Sequence, residues 1–90
     1  MYRYKRGIRC SYDRQGYIYF TSRQYRFLPA EKKEKIRKLC REAGGENSQA
    51  LLAFVTSDKS ATEVCMAHFI SKATLYRAVQ RYYEAFPKWL

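Results

Sequence analysis

The sequence holds few of the residues that build metal sites, disulfide frameworks or membrane spans. Its three cysteines, Cys10, Cys40 and Cys65, are odd in number and widely spaced, and there is one histidine, so neither a disulfide framework nor a zinc site is predicted. No apolar run approaches the ~20 residues of a membrane-spanning helix, and the basic N-terminus lacks the apolar segment of a signal peptide. We therefore expect a reduced, cytoplasmic protein with no metal, no cofactor, no small-molecule ligand and no membrane partner.

Acidic residues are scarce relative to basic ones. The 90 residues contain 18 Lys+Arg against 8 Asp+Glu, a formal charge of +10, which favours an anionic partner, with nucleic acid as the first candidate. The excess is uneven, because residues 1–28 carry seven basic and one acidic residue, whereas residues 46–90 carry five and four. Apolar residues make up 47% of the chain, which is enough for the core of one domain.

Residues 1–28 are predicted to form a basic, aromatic β-hairpin or arm. Apolar and polar residues alternate from Ile8 to Tyr12, residues 13–16 fit a type I turn, and residues 17–21 are rich in aromatic and β-branched side chains. One interpretation is a wing that lies on a phosphate backbone, and the other is a small sheet that covers the core with its arginines solvated. On the first interpretation the contacts are Arg3, Lys5, Arg6, Arg9 and Arg14.

Residues 29–90 are predicted to form a domain of four helices, so the fold class is α+β, mostly α. Pro29 and the pair Gly44-Gly45 bracket a first helix over 30–43 with an apolar stripe and a basic, solvated face. A nearly all-apolar segment over 48–57 predicts a buried second helix. Both parts of the chain are expected to make one folded unit.

Two short helices joined by a tight turn are predicted next. Ser60 and Glu63 have the spacing of a capping box, so a helix should begin at residue 61 and end near residue 68. Ser71 offers a second N-cap for a helix that continues to about residue 86. With the preceding buried helix, the pair forms a trihelical helix-turn-helix unit.

The segment that carries a family resemblance is Ile70-Ser71-Lys72-Ala73-Thr74-Leu75-Tyr76-Arg77. It resembles the turn and recognition-helix start of bacterial and phage helix-turn-helix proteins, and similar segments occur in serine recombinases, TetR-type repressors and SpoIIID-like sporulation regulators. The resemblance covers roughly residues 60–83 and implies double-stranded DNA as the partner, with the last helix in a major groove. The DNA contacts that it implies are Ser71, Lys72, Ala73, Thr74, Tyr76, Arg77, Gln80 and Arg81.

Phe69 departs from the family pattern. This position is usually glycine, because the backbone of the turn adopts a positive φ that an aromatic residue tolerates poorly. We therefore expect the turn to differ in shape, or the helix before it to run further. His68, at a position that is usually apolar, is a second departure.

The sequence thus predicts a sequence-specific DNA-binding protein, either a transcription regulator or a recombination accessory factor of a bacterium, phage or mobile element. An enzyme is not expected, because His68 has no partner with triad or metal-site spacing. The alternatives are an RNA-binding protein that uses the tyrosine-rich hairpin and a protein-interaction module. A homodimer is possible within this interpretation, and its candidate interface consists of exposed Tyr82, Tyr83, Phe86, Trp89 and Leu90.

Overall fold

A computed structural model describes residues 10–90, and these residues fold as five α-helices without a β-strand. The helices are α1 (Tyr12–Arg23), α2 (Ala30–Gly44), α3 (Ser48–Val55), α4 (Ala61–His68) and α5 (Lys72–Ala85). Short 3-10 helices, Tyr25–Phe27 and Gly45–Asn47, connect α1 to α2 and α2 to α3. None of the helices in this part of the chain has the length and apolar character that a membrane crossing requires.

The predicted N-terminal β-hairpin is wrong, and the described fold is all-α rather than α+β. The residues predicted as its turn and returning strand, 13–21, lie inside α1. Of its first strand, residues 8–12, residues 8 and 9 lie outside the described range, and residues 10–12 contain no strand. A type I turn and a first helical turn have similar backbone angles, so residues 13–16 fit both. The buried residues of α1 are Gln15, Ile18 and Ser22. Because two of the three are polar, the hydropathy pattern does not show the helical period.

Helix α1 is held by its cap and by contacts made far along the chain. Ser11 is the N-cap, and its hydroxyl accepts from the Arg14 amide at 3.2 Å. Ile18 is fully buried in the core. The Ser22 hydroxyl is 2.6 Å from the Tyr82 hydroxyl of α5, so the buried polar group has a partner.

The predictions of the four later helices are confirmed, with small shifts at their ends. Helix α2 runs one residue beyond the predicted end, and Gly45 closes it with φ 56°, a backbone conformation that glycine adopts without steric cost. Pro29 is the N-cap rather than the first helical residue. Helix α3 ends at Val55, two residues early, where the Thr56 hydroxyl donates to the carbonyl four residues back at 2.6 Å.

One apolar core receives side chains from all five helices. Helix α2 packs against both α3 and α5, and α3, α4 and α5 also contact one another in pairs. The large apolar and aromatic side chains that are most completely enclosed are Ile18, Ile36, Leu51, Val64, Leu75 and Tyr82. Cys40 and Cys65 are buried, and burial raises the pKa of Cys40 to about 12.

The C-terminal tail, residues 86–90, folds back onto α1. The Arg14 guanidinium donates to the carbonyl oxygens of Phe86, Pro87 and Lys88. The Tyr17 ring meets the Trp89 ring edge-on at a centroid distance of 5.6 Å, and the Tyr17 hydroxyl accepts from the backbone amide of residue 90 at 3.0 Å. The tail is therefore part of the fold rather than a free extension.

Candidate nucleic-acid interface

The helix pair predicted over residues 60–83 is present as α4, a three-residue turn and α5. The capping box at the start of α4 is complete, because the Glu63 amide donates to the Ser60 hydroxyl at 3.1 Å and the Ser60 amide donates to the Glu63 carboxylate at 3.0 Å. Helix α4 begins and ends at the predicted residues. Local hydrogen bonds therefore fix where the pair starts.

The turn has a left-handed residue at Phe69, so the prediction of a changed turn or a longer helix is wrong. Phe69 has φ 57° and ψ 45°, and α4 ends at His68. The amides of Phe69 and Ile70 both donate to the Cys65 carbonyl, the second at 3.2 Å. These hydrogen bonds and the packing of the two helices hold an aromatic residue in a conformation that usually requires glycine.

The N-terminus of α5 is closed by two of the predicted contact residues. The Ser71 hydroxyl accepts from the Thr74 amide at 3.1 Å and lies 2.9 Å from the Thr74 hydroxyl. Both hydroxyls thus serve the N-cap before any ligand arrives. The helix dipole still places partial positive charge at this end, which favours an anion.

The two faces of α5 differ in burial. Leu75, Ala78 and Val79 are buried in the core. Among the predicted contacts, the outward-facing ones are Ser71, Lys72, Ala73, Tyr76, Arg77 and Arg81, with Thr74 and Gln80 half-buried. No hydrogen bond or ion pair joins Lys72, Tyr76 or Arg77 to another side chain in residues 10–90. Their polar groups therefore face solvent.

Gln80 and Arg81 differ from these three because each already has a partner within the fold. Arg81 Nη1 donates to the Ala43 carbonyl at 3.2 Å, near the C-terminus of α2, where the helix dipole attracts a cation. Gln80 Nε2 lies 3.3 Å from a Glu84 carboxylate oxygen. A ligand must replace or share these contacts, so the two residues are less readily available than Lys72 and Arg77.

The N-terminal basic residues are only partly described. Arg3, Lys5, Arg6 and Arg9 lie outside the described residues. Arg14, the fifth predicted phosphate contact, uses its guanidinium to hold the C-terminal tail through three carbonyl oxygens. The structure thus gives Arg14 a role in connecting the two ends of the described chain.

A groove beside Tyr76 contains basic residues that the sequence analysis did not select. It has a volume of about 310 Å³, lies between α1, the α3–α4 loop and α5, and includes Arg23 and Lys59. The Arg23 guanidinium donates to the Tyr19 hydroxyl at 2.8 Å, and Asp58 also borders the groove. Only tertiary packing places these residues next to α5, so no periodicity or motif in the sequence indicates them.

The predicted dimer interface is largely inside the protein. Tyr82, Tyr83 and Phe86 are at most 6% exposed, so the expectation that they lie on the surface is wrong. They pack as part of the core on the inner side of α5. Trp89, at 72% exposure, and half-buried Leu90 remain accessible in the tail.

Comparison of this chain with family models, with curated proteins and with solved structures gave no match. The interpretation of the site therefore depends on its own geometry and charge. Within residues 10–90, no group of three or more His, Cys, Asp or Glu side chains is placed to hold a metal ion.

Proposed function

We propose that this protein binds double-stranded DNA in a sequence-specific manner, with the first half of α5 in the major groove. The observation that supports this proposal best is the start of α5, where Lys72, Tyr76 and Arg77 face solvent directly after a capped three-residue turn. A short helix presented in this way, with a second helix packed behind it, has the arrangement of helix-turn-helix DNA readers.

The charge around α5 supports a polyanionic partner. No Asp or Glu occurs between Glu63 and Glu84, and this interval holds three basic residues, Lys72, Arg77 and Arg81. The Glu63 carboxylate is occupied at the far end of α4 by the capping box. A phosphate backbone approaching the start of α5 therefore meets Lys72 and Arg77 on a stretch of helix that carries no carboxylate, while Asp58 borders the groove beside Tyr76.

The proposed contacts follow from side-chain chemistry and position. Arg77 reads a base through a bidentate contact, for which guanine is the matching partner, and Lys72 binds a phosphate. Gln80 reads adenine after its amide leaves Glu84. Arg81, Arg23 and Lys59 add phosphate contacts at the edges of the site, and the N-terminal basic residues 1–9 add further positive charge.

The biological setting belongs to the same proposal. A small DNA reader of this kind suits a cytoplasmic transcription regulator or recombination accessory factor in a bacterium, phage or mobile element, and a homodimer is one way to read two half-sites. The RNA-binding alternative depended on a tyrosine-rich hairpin, whereas residues 12–23 are helical. The RNA-binding alternative therefore lacks the structural feature on which it was based.

The test is selection of DNA fragments from a random pool at two salt concentrations, followed by sequencing of the retained fragments. We expect one enriched motif, and we expect Arg77→Ala to weaken binding to it by roughly 5- to 150-fold, since a bidentate base contact contributes about 1–3 kcal/mol. Lys38→Ala is the matched control, because Lys38 is an exposed cation on α2 and its loss should weaken binding only slightly.

Two results contradict the proposal. Binding that is tight at low salt, without sequence preference and equally sensitive to Arg77→Ala and Lys38→Ala, means that net charge acts alone. Absence of DNA binding at both salt concentrations directs attention to the protein-interaction alternative instead.

A further inference from the structure

The turn between α4 and α5 contains an aromatic residue whose side chain makes almost no contact within the fold. Phe69 has a left-handed backbone at φ 57°, which costs an L-residue with a Cβ about 1–2 kcal/mol and costs glycine nothing. Its side chain is 94% exposed, so the ring gains almost no packing within the protein in return. A strained residue whose side chain serves no internal contact suggests a role in contact with a partner.

A second exposed apolar side chain lies close to Phe69 in the sequence. Met66 lies three positions earlier, in the last turn of α4, and is 73% exposed. Met66 and Phe69 are thus two exposed apolar residues near the same end of α4. Exposed apolar side chains placed together commonly mark an interaction site.

The surroundings of this apolar pair favour DNA as its partner. Phe69 lies two positions before the Ser71 N-cap of α5, so it borders the end of the helix that carries Lys72 and Arg77. Between Glu63 and Glu84 the sequence holds the cations Lys72, Arg77 and Arg81 and no acidic residue. A partner that contacts Phe69 and the start of α5 together is therefore favoured if it combines negative charge with an apolar feature.

The thymine edge of the major groove meets both requirements. Thymine presents its 5-methyl group there, and apolar protein side chains read that methyl group by direct contact. We propose that Phe69 packs against a thymine methyl group at the edge of the site read by α5. Phe69 is thereby a specificity-determining residue, and this inference depends on the proposed DNA-binding function.

The experiment combines protein and DNA substitutions on the motif obtained by selection. Each thymine is replaced in turn by deoxyuridine, which removes only the methyl group, and the affinities of wild type and Phe69→Gly are compared. We expect one position where deoxyuridine, by removing one buried methyl group, weakens wild-type binding about three- to tenfold and leaves Phe69→Gly binding unchanged. Phe69→Asn should behave like Phe69→Gly, because asparagine also tolerates the left-handed backbone.

Two controls separate this effect from damage to the fold. Phe69→Gly should have a melting temperature equal to or above that of wild type, since glycine removes the backbone strain. Phe27→Ala removes another exposed phenylalanine, at 74% exposure in the 3-10 helix after α1, and should not change DNA binding.

The outcomes separate the two proposals. If Arg77→Ala weakens binding while Phe69→Gly responds to every deoxyuridine as wild type does, the thymine contact is wrong and DNA recognition by α5 stands. If Phe69→Gly weakens binding equally at all positions, the contact is to the DNA backbone and the thymine assignment is overturned. If wild type does not bind DNA, both proposals fail.

Discussion

Helices α1 and α4 are both short and both begin at a serine N-cap, but they are stabilised differently. Helix α4 has a complete capping box within four residues, and its ends match the sequence prediction. Helix α1 has aromatic and β-branched residues that favour a strand, and its burial depends on residues about sixty positions away, such as Tyr82. Local hydrogen bonds specify α4, whereas tertiary contacts override the local preference in α1.

The largest effect should come from removing the apolar anchor of α1. Ile18→Ala deletes a fully buried side chain and leaves a cavity, so we expect a loss of about 2–5 kcal/mol in the free energy of unfolding, measured by urea denaturation. Phe20→Ala, on the same helix but at 52% exposure, should change it by only about 0.5 kcal/mol. Equal effects of the two substitutions would show that α1 is not held by its buried face.

The second-largest loss of stability should come from breaking the polar contact between α1 and α5. Tyr82→Phe leaves the buried Ser22 hydroxyl without the partner that it has at 2.6 Å, and we expect a cost of about 1–3 kcal/mol. Ser22→Ala, conversely, leaves the Tyr82 hydroxyl without this partner. The double variant should be less destabilised than the sum of the two single variants, and strict additivity in this cycle would mean that the hydroxyls are not coupled.

Alkaline pH should lower the free energy of unfolding through two buried groups, Cys40 and Tyr82. Burial raises the pKa of Cys40 from 9.0 to about 12, and it raises that of Tyr82 above its ordinary 10.0. Above each ordinary value the unfolded chain releases a proton that the folded chain keeps, so the free energy of unfolding falls as pH rises. The stabilisation is complete below pH 9.0 and is then lost at up to about 1.4 kcal/mol per pH unit for each group.

Urea denaturation across this pH range measures that slope, and Cys40→Val separates the two groups. The substitution removes the thiol, so the decline should be shallower in the variant than in wild type. A stability that stays constant from below pH 9.0 to about pH 11 would contradict the expected contribution of both buried groups.

The smallest loss of stability should come from removing the N-cap hydroxyl of α4. Ser60→Ala removes the capping hydroxyl and should cost about 1 kcal/mol, while Ser60→Asn keeps an acceptor and should cost less. Amide hydrogen exchange should show the loss as faster exchange in α4 and not in α1. A change of similar size in both helices would contradict the local character of this cap.

The sequence predicted helices α2 to α5 because their caps and apolar spacing act over a few residues. The helix-turn-helix resemblance also implied which residues of α5 face outward, and Lys72, Tyr76 and Arg77 are exposed as it implied. The left-handed backbone of Phe69 was not predictable from propensity, because the packing of two helices imposes it. The roles of Arg14 and Arg81 could not be predicted from the sequence either, because both side chains donate to carbonyl oxygens 38 or more positions away.

The three hydrogen bonds between Arg14 and the C-terminal tail, taken together as one contact, have a consequence for the order of folding. It joins residues 72 to 74 positions apart, so its formation closes almost the whole described chain into a loop and has a large entropic cost. We expect it to form after the folding transition state, so Arg14→Ala should accelerate unfolding and leave the folding rate nearly unchanged. The two ends of the described chain would then be the first parts to separate, while the α4–α5 pair stays assembled.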